Sequence, residues 1–267
     1  MASGKTSKAV RNARSAVVTQ RTVPWGGIIA GAVIVLFAAA VFGYVLLQSQ
    51  SKNAREEALA PFTPTQENPD PSTKIAGIVV KQYQGGLHVL PSDQVAYTTS
   101  PPYGGSHDEN WAACNGVVYP EAVRTETLVH SLEHGAVWIA YNPDQISGDA
   151  LSTLSAKVAS QPYTVMSPYP GLDQPISLQS WGHQLKLSDA GDIRIDQFIQ
   201  SLRRNPYGSH PEVGASCLAR GPGLFDQDNP PAFVPAPPSD QVGRPRIKSE
   251  NAVRAGTAGA PSLAPGQ

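Results

Sequence analysis

Charged residues are scarce in this chain of 267 amino acids. Asp, Glu, Lys and Arg make up 15% of it, against roughly a quarter in an average soluble domain. The charges are also unevenly placed, because the first 24 residues hold five basic residues and no acidic one, and the rest of the chain has a net charge of −6. That charge gives no basic patch of the kind that binds nucleic acid, so this class of protein is excluded.

The usual signatures of nucleotide binding and of serine hydrolases are missing as well. The chain contains no phosphate-binding loop, no Gly-x-Gly-x-x-Gly and no Gly-x-Ser-x-Gly. No sequence period recurs, which excludes collagen-like, coiled-coil and repeat proteins. We therefore expect neither a nucleotide nor a nucleic acid among the partners of this protein.

One long apolar run lies near the N-terminus. After Pro24, about 23 residues pass without a charge, and roughly 20 apolar residues suffice for a helix to cross a bilayer core. Trp25 and Tyr44 lie near the two ends, where aromatic rings favour the membrane interface. The basic residues before the run predict a cytoplasmic N-terminus and an extracytoplasmic C-terminal part, on a single-pass protein of the cell membrane.

A cleaved signal peptide is the alternative interpretation of this run. Ala38, Ala39 and Ala40 resemble a cleavage site. The apolar region of a signal peptide, however, spans only about 7–15 residues, and here it continues to Leu47. We therefore expect an uncleaved anchor in the lipid bilayer.

Composition divides the chain into five parts. They are a basic cytoplasmic arm at 1–24, a transmembrane helix at 25–48, a polar linker at 49–72 that contains several prolines, a folded domain at 73–220 and a Pro-rich tail at 221–267. Lys52 to Ala60 is expected to extend the membrane helix by two turns. The tail has few large apolar side chains, which predicts disorder, with Leu224, Phe225 and Phe233 as candidates for contact with the domain.

The folded domain combines helical and strand-like patterns without a regular alternation. This predicts one small mixed α+β extracytoplasmic domain. The predicted helices are Glu121–His134, Ser147–Ala159 and Asp192–Arg204, and the predicted strands are Ile75–Tyr83, Val95–Tyr97, Gly116–Tyr119, Ala136–Tyr141, Tyr163–Met166, Ile176–Leu178 and Gln184–Leu187.

The only two cysteines, Cys114 and Cys217, both lie in this domain. An oxidising compartment favours a disulfide between them. A pair of metal thiolates or a redox pair is the alternative, but no Cys-x-x-Cys motif is present. We expect a structural disulfide.

Six histidines, all in the outer domain, carry the strongest chemical signal. His130 and His134 are four residues apart, so both lie on one face of a helix, and Glu133 lies beside them. His107 follows the rigid loop Pro101–Ser106, and His88 follows Gly85-Gly86 in a strand-like segment. His210, flanked by prolines, is expected at the surface.

The spacing His-x-x-Glu-His also occurs in inverted zinc metalloproteases, in which two His hold zinc and Glu activates water. In that interpretation Glu133 is the catalytic residue and Glu212 a further ligand. Gly135 ends the helix early and the domain is small, both of which disfavour a protease. The alternative interpretation is structural: a histidine near a helix C-terminus interacts well with the helix dipole, and a Glu–His hydrogen bond fixes a turn.

Several motifs together resemble one known family. They are the Gly-x-His of residues 86–88, Pro-Pro-Tyr-Gly-Gly-Ser-His at 101–107, Val-His-Ser-Leu-Glu-His-Gly-Ala-Val at 129–137, Tyr-Asn-Pro at 141–143 and Ser-Trp-Gly-His at 180–183. This combination resembles the membrane-anchored family known as domain of unknown function 3105, over roughly residues 72–217. The resemblance singles out His88, His107, His130, Glu133 and His134, and it implies no activity.

Our leading hypothesis is a metal-binding outer domain centred on His107, His130 and His134, with His88 and Glu133 as further ligands. Zinc or copper suits a site rich in imidazole nitrogens, and Met166 or a cysteine is a possible soft ligand for copper. A metal-free interaction module for a protein partner in the cell envelope, reached through the tail and linker, is the second hypothesis. The third is a zinc-dependent hydrolase that uses Glu133.

Overall fold

The structure is a computed structural model that describes residues 23–252. The predicted basic arm lies almost entirely outside the described residues, and so does the end of the predicted tail, residues 253–267. The chain forms two compact units that divide between Arg55 and Glu56.

The first unit contains most of helix α1 (Trp25–Leu59), which has no buried residue and ends four residues beyond the boundary at Arg55. The helix continues past Gln48 to Leu59, which confirms the predicted extension by about two turns. The apolar helix is long enough to span a membrane, and a signal sequence near an N-terminus has the same character.

The second unit is a mixed α+β domain, as predicted. Its helices are α2 (Thr125–Glu133), α3 (Gly148–Val158) and α4 (Ile193–Leu202). Its strands are β1 (Val79–Val80), β2 (His88–Val89), β3 (Gln94–Ala96), β4 (His107–Asp108), β5 (Asn115–Val118), β6 (Val137–Tyr141), β7 (Thr164–Pro168), β8 (Ile176–Ser180), β9 (His183–Leu187) and β10 (Ile247–Ser249).

Six strands form the central sheet in the order β1-β9-β8-β6-β7-β5. Strands β6, β7 and β5 are parallel, and the remaining pairs are antiparallel. Helix α3 connects the parallel neighbours β6 and β7, as such a crossover requires. Two short parallel pairs lie outside this sheet: β2 pairs with β4, and β3 with β10.

Alternate residues of the strands pack into two separate hydrophobic cores. In β6, Val137 and Ile139 belong to a core that also contains Leu154 of α3 and Phe198 of α4. Trp138, between them, belongs to the other core. That second core contains the apolar side chains of α2 and the two cysteines. The two-residue period of a strand thus gives the sheet two covered faces.

The cysteines form the predicted disulfide. Cys114 and Cys217 are joined, their Cα atoms lie 4.8 Å apart, and the bridge spans 103 residues of sequence. The backbone N–H of Cys114 also donates to the carbonyl oxygen of Cys217 at 3.0 Å. The alternative of metal thiolates or a redox pair is therefore wrong for this structure.

The Pro-rich segment differs from the prediction of disorder over its described part, residues 221–252. Strand β10 pairs with β3, Phe225 is fully buried, and Phe233 packs against Tyr169. Glu250 accepts hydrogen bonds from the Lys81 ammonium at 2.6 Å and from the Thr98 backbone N–H at 2.9 Å. A few apolar and charged anchors suffice to order a segment whose average composition is that of a disordered one.

Candidate metal centre

Two short parallel strands bring the first two histidines together. His88 of β2 is directly opposite His107 of β4 in the register of this pair, and their ring centroids lie 4.8 Å apart. Gly85 precedes the pair at a place where a Cβ atom would lie 2.7 Å from Oε1 of Glu133. Only glycine permits this close approach, and the next backbone N–H, that of Gly86, donates to the same oxygen at 2.6 Å.

Helix α2 supplies the other side of the cluster. His130 and Glu133 are three residues apart, so they project from neighbouring positions of one helix face. The ring of His130 lies 4.8 Å from that of His107 and 5.0 Å from that of His88, between centroids. The helix ends at Glu133. Gly135, two residues further on, has a φ of 103° and lies where the sequence predicted the end of the helix.

Four potential ligand atoms converge as a result. One atom each from His88, His107, His130 and Glu133 lies within 4.8 Å of all the others. Oε2 of Glu133 is 2.8 Å from Nε2 of His107 and 3.9 Å from Nε2 of His88. The side chains of His107 and Glu133 are fully buried, whereas that of His88 is 32% exposed.

The facing atoms in this cluster lack hydrogen-bond partners within the described chain. Nε2 of His88, Nε2 of His107 and Oε2 of Glu133 are all buried and unpaired. The close contact between His107 and Glu133 does not have hydrogen-bond geometry. Buried polar atoms are almost always paired, so three unpaired atoms that face each other require an explanation.

The opposite nitrogens of the rings are held by the backbone. Nδ1 of His107 lies 2.8 Å from the carbonyl oxygen of Gly105, and Nδ1 of His130 lies 2.6 Å from that of Asp108. A carbonyl can only accept, so Nδ1 carries the proton and Nε2 keeps its lone pair. Metal-ligating histidines are commonly oriented in this way by a bond from the second nitrogen.

Burial favours the neutral form of two of the histidines, His130 and His88. It lowers the pKa of His130 to about 2, and the neighbouring rings of His107 and His134 lower it further. Burial and the His107 ring likewise lower the pKa of His88. Neutral imidazole is the form that binds a metal ion.

His134 belongs to a different group from the one predicted. Its Nε2 lies 3.5 Å from Oε2 of Glu212, and its Nδ1 is held by the carbonyl oxygen of Ser216 at 2.7 Å. His130, His134 and Glu212 form a second group with ligand atoms within 4.8 Å, next to the first. The close contact with His134 lowers the pKa of Glu212. The sequence indicated Glu212 only as a further ligand in the hydrolase hypothesis.

Two tryptophans that the histidine spacing did not indicate lie against the site. Trp181 lies 5.6 Å from the ring of His107, and Trp111 lies 5.5 Å from His130 and 4.9 Å from His134, between centroids. Trp111 is four residues beyond His107 in the sequence, and Trp181 lies in the Ser-Trp-Gly-His motif at 180–183.

Soft ligands and the remaining histidines lie elsewhere. Both cysteines are in the disulfide, and Met166 is fully buried in the apolar core. His183 is bonded to Asp70 and to the carbonyl oxygen of Trp181. His210 is buried between the carbonyl oxygens of Leu132 and Leu202, so its predicted surface position is wrong. The donor set of both groups is therefore nitrogen and oxygen alone.

Comparison with known proteins gives a single match, to a family model. No curated protein and no solved structure matches the chain. Residues 88–219 match the family model described as "Protein of unknown function (DUF3105)". This range contains both candidate groups and the disulfide. Over this part of its length, the chain resembles the DUF3105 family.

Proposed function

We propose that this protein binds one divalent transition-metal ion, zinc or copper(II), through His88, His107, His130 and Glu133. The observation that carries the proposal is the set of three buried, unpaired atoms on His88, His107 and Glu133 that face each other. Each unpaired buried polar group costs roughly 1–3 kcal/mol. That cost is large against a total stability of about 5–15 kcal/mol, and a bound ion removes it.

The donor atoms select the class of metal. Three imidazole nitrogens and one carboxylate oxygen suit zinc and copper(II), whereas copper(I) favours thiolate or thioether sulfur, which both groups lack. Four protein ligands complete a tetrahedral zinc site and leave no position for substrate. We therefore infer a role in holding or handling the metal rather than in catalysis.

The hydrolase hypothesis finds less support in this geometry. A metalloprotease needs a glutamate that is free to activate water beside the metal. Glu133 instead accepts a hydrogen bond from the Gly86 backbone N–H with one oxygen, and its other oxygen faces His107. Its side chain is also fully buried. These contacts support a role for Glu133 as a ligand.

The proposal includes the membrane anchor and its orientation. Helix α1 has the length and apolar composition to hold the chain in a bilayer. The Cys114–Cys217 disulfide supports an extracytoplasmic domain, because disulfides persist in oxidising compartments. A thiol-reactive reagent tests this orientation. We expect no free thiol in the exported protein, and two in protein whose export is blocked.

The experiment for metal binding is elemental analysis of the full chain, purified in detergent without a polyhistidine tag and equilibrated with zinc. We expect about one zinc per chain, lost in His107→Ala. The matched control is His183→Gln, which removes a buried histidine from outside both groups and should retain the metal. If His107→Ala does not fold, His88→Ala, at the partly exposed position, takes its place. A wild type without metal, or a His88→Ala variant with unchanged affinity, would contradict the proposal.

A further inference from the structure

His130 is common to the two groups of potential ligands. Its Nδ1 is held by the Asp108 carbonyl oxygen at 2.6 Å. Only Nε2 is therefore free to bind a metal, and this one atom has to serve both groups. A ring nitrogen has a single lone pair, so it binds one ion at a time.

The two groups differ in their access to solvent. The inner group is His88, His107, His130 and Glu133, in which Glu133 is completely buried. The outer group is His130, His134 and Glu212, in which the Glu212 side chain is 45% exposed. The outer group also offers only three ligands, so an ion bound there would keep water in at least one position.

The backbone holds the two groups beside each other. The N–H of Glu212 donates to the carbonyl oxygen of Glu133 at 3.2 Å, and the N–H of Gly214 donates to that of His134 at 2.9 Å. The segment that carries the exposed carboxylate is thus fixed to the end of α2, which carries the ligands of both groups. An ion would need to move only between neighbouring positions around one imidazole ring.

We propose that His130, His134 and Glu212 form an outer entry site, from which a metal ion passes to the inner site while His130 remains bound. This inference rests on the proposed function. In the transfer, His134 and Glu212 are replaced by His88, His107 and Glu133, and no redox step is involved. Because His130 serves both sites, they are not filled together, and the chain holds one ion at saturation.

A tryptophan lies against each site, and Trp181 contacts a ligand of the inner site alone, which allows the two steps to be observed. Trp111 contacts His130 and His134, whereas Trp181 contacts His107. Copper(II) quenches tryptophan fluorescence at short range. Trp181→Phe leaves Trp111 to report on the outer site, and Trp111→Phe leaves Trp181 to report on the inner one. Trp25 and Trp138 give the same background in both variants.

The experiment is stopped-flow mixing of copper(II) chloride with the metal-free full chain in detergent. We expect quenching of Trp111 to precede quenching of Trp181. His134→Ala and Glu212→Gln should each slow the Trp181 phase about tenfold or more. Glu212→Gln removes the carboxylate that attracts the cation, and His134→Ala removes the second ligand beside it. Both variants should still bind one ion. Glu121→Gln, which changes an exposed carboxylate outside both groups, is the matched control and should load at the wild-type rate.

The failures of the two proposals are distinguishable. If the wild type binds no copper or zinc, the proposed function is wrong. If it binds one ion but His134→Ala and Glu212→Gln load as fast as the wild type, only the entry site is overturned. Two ions bound together at saturation would also overturn the entry site, because a shared His130 forbids it.

Discussion

The two faces of the central sheet bury very different side chains. The face covered by α3 and α4 is apolar, with Leu154, Phe198 and Leu202 among its fully buried residues. The face covered by α2 mixes apolar residues with buried serines, histidines and carboxylates. The apolar residues of the first face stabilise the fold by their burial. The second face also holds the candidate metal centre.

Polarity alone does not mark the site on the second face. Nε1 of Trp138 donates to Ser167 at 3.0 Å, and the Ser131 hydroxyl donates to the Ala112 carbonyl oxygen at 2.8 Å. Such pairs are ordinary buried hydrogen bonds. Among the described residues, the other buried side-chain atoms without a partner are hydroxyls, those of Tyr83, Thr99 and Ser201. The candidate centre differs because its unpaired atoms are two imidazole nitrogens and a carboxylate oxygen that face each other.

The largest effect is expected on the apolar face. Phe198→Ala should lower the free energy of unfolding by about 3–5 kcal/mol, because it removes a fully buried ring from a packed core. Urea denaturation of the metal-free protein measures this loss. The folded fraction should still bind one zinc. Two results would contradict the inference that one face stabilises the fold and the other binds the metal. They are a loss of less than about 1 kcal/mol and a folded fraction that binds no zinc.

Zinc itself should produce the next largest effect. At a free concentration 100 times the dissociation constant, it should raise the free energy of unfolding by about 2.7 kcal/mol, because it binds only the folded chain. Thermal unfolding with and without zinc measures the gain. His107→Ala should abolish it, and Phe198→Ala should retain it. An equal gain in His107→Ala would place the ion outside the inner site.

A smaller effect is expected at His88. His88→Leu removes one unpaired buried nitrogen at a position that is 32% exposed. The metal-free variant should equal the wild type in stability or exceed it by up to about 1 kcal/mol. Its zinc-dependent stabilisation should fall. If the metal-free variant is clearly less stable than the wild type, His88 stabilises the fold. That result would contradict the claim that the unpaired nitrogen of His88 serves metal binding.

The smallest effect concerns the Pro-rich segment. Burial raises the pKa of Glu250, but hydrogen bonds from Lys81 and Thr98 outweigh it, so the pKa is lower than that of a free glutamate. Glu250→Gln should therefore cost about 0.5–1 kcal/mol at pH 7, a value discounted because Lys81 is partly exposed. The unfolded chain binds the proton more readily, so the difference should disappear as the pH falls below about 4.5.

Urea denaturation of the wild type and of Glu250→Gln at pH 7 and at pH 3.5 measures this difference. Asp226→Asn, an exchange in the same segment outside this network, is the control. A cost that stays constant with pH would show that the carboxylate charge is not what fixes the segment.

The periodic elements of the fold were predictable from sequence, whereas the tertiary contacts were not. Asp192–Arg204 was predicted as a helix and α4 is Ile193–Leu202, because its apolar residues recur at helical spacing. Helix α2 begins at Thr125 rather than at Glu121, since Val123 forms a bridge with Ala232 of the Pro-rich segment. No local pattern shows a contact between residues so far apart in the chain.

The candidate site shows the same limit. The four-residue spacing of His130 and His134 correctly put both rings on one side of α2, where their centroids lie 4.6 Å apart. It did not show that Glu133 faces His107, or that His134 faces Glu212. Those contacts depend on the pairing of β2 with β4 and on the backbone bonds of the segment after Pro211. Spacing gives the direction of a side chain, and the partner follows only from the fold.

The measurement that tests the central claim most directly is X-ray absorption at the zinc edge of the loaded full chain. We expect about four nitrogen or oxygen neighbours near 2.0 Å, three of them imidazole, and no sulfur neighbour near 2.3 Å. In His88→Ala one imidazole should be lost. A sulfur neighbour, or an imidazole count that does not change in His88→Ala, would contradict a metal centre at His88, His107, His130 and Glu133.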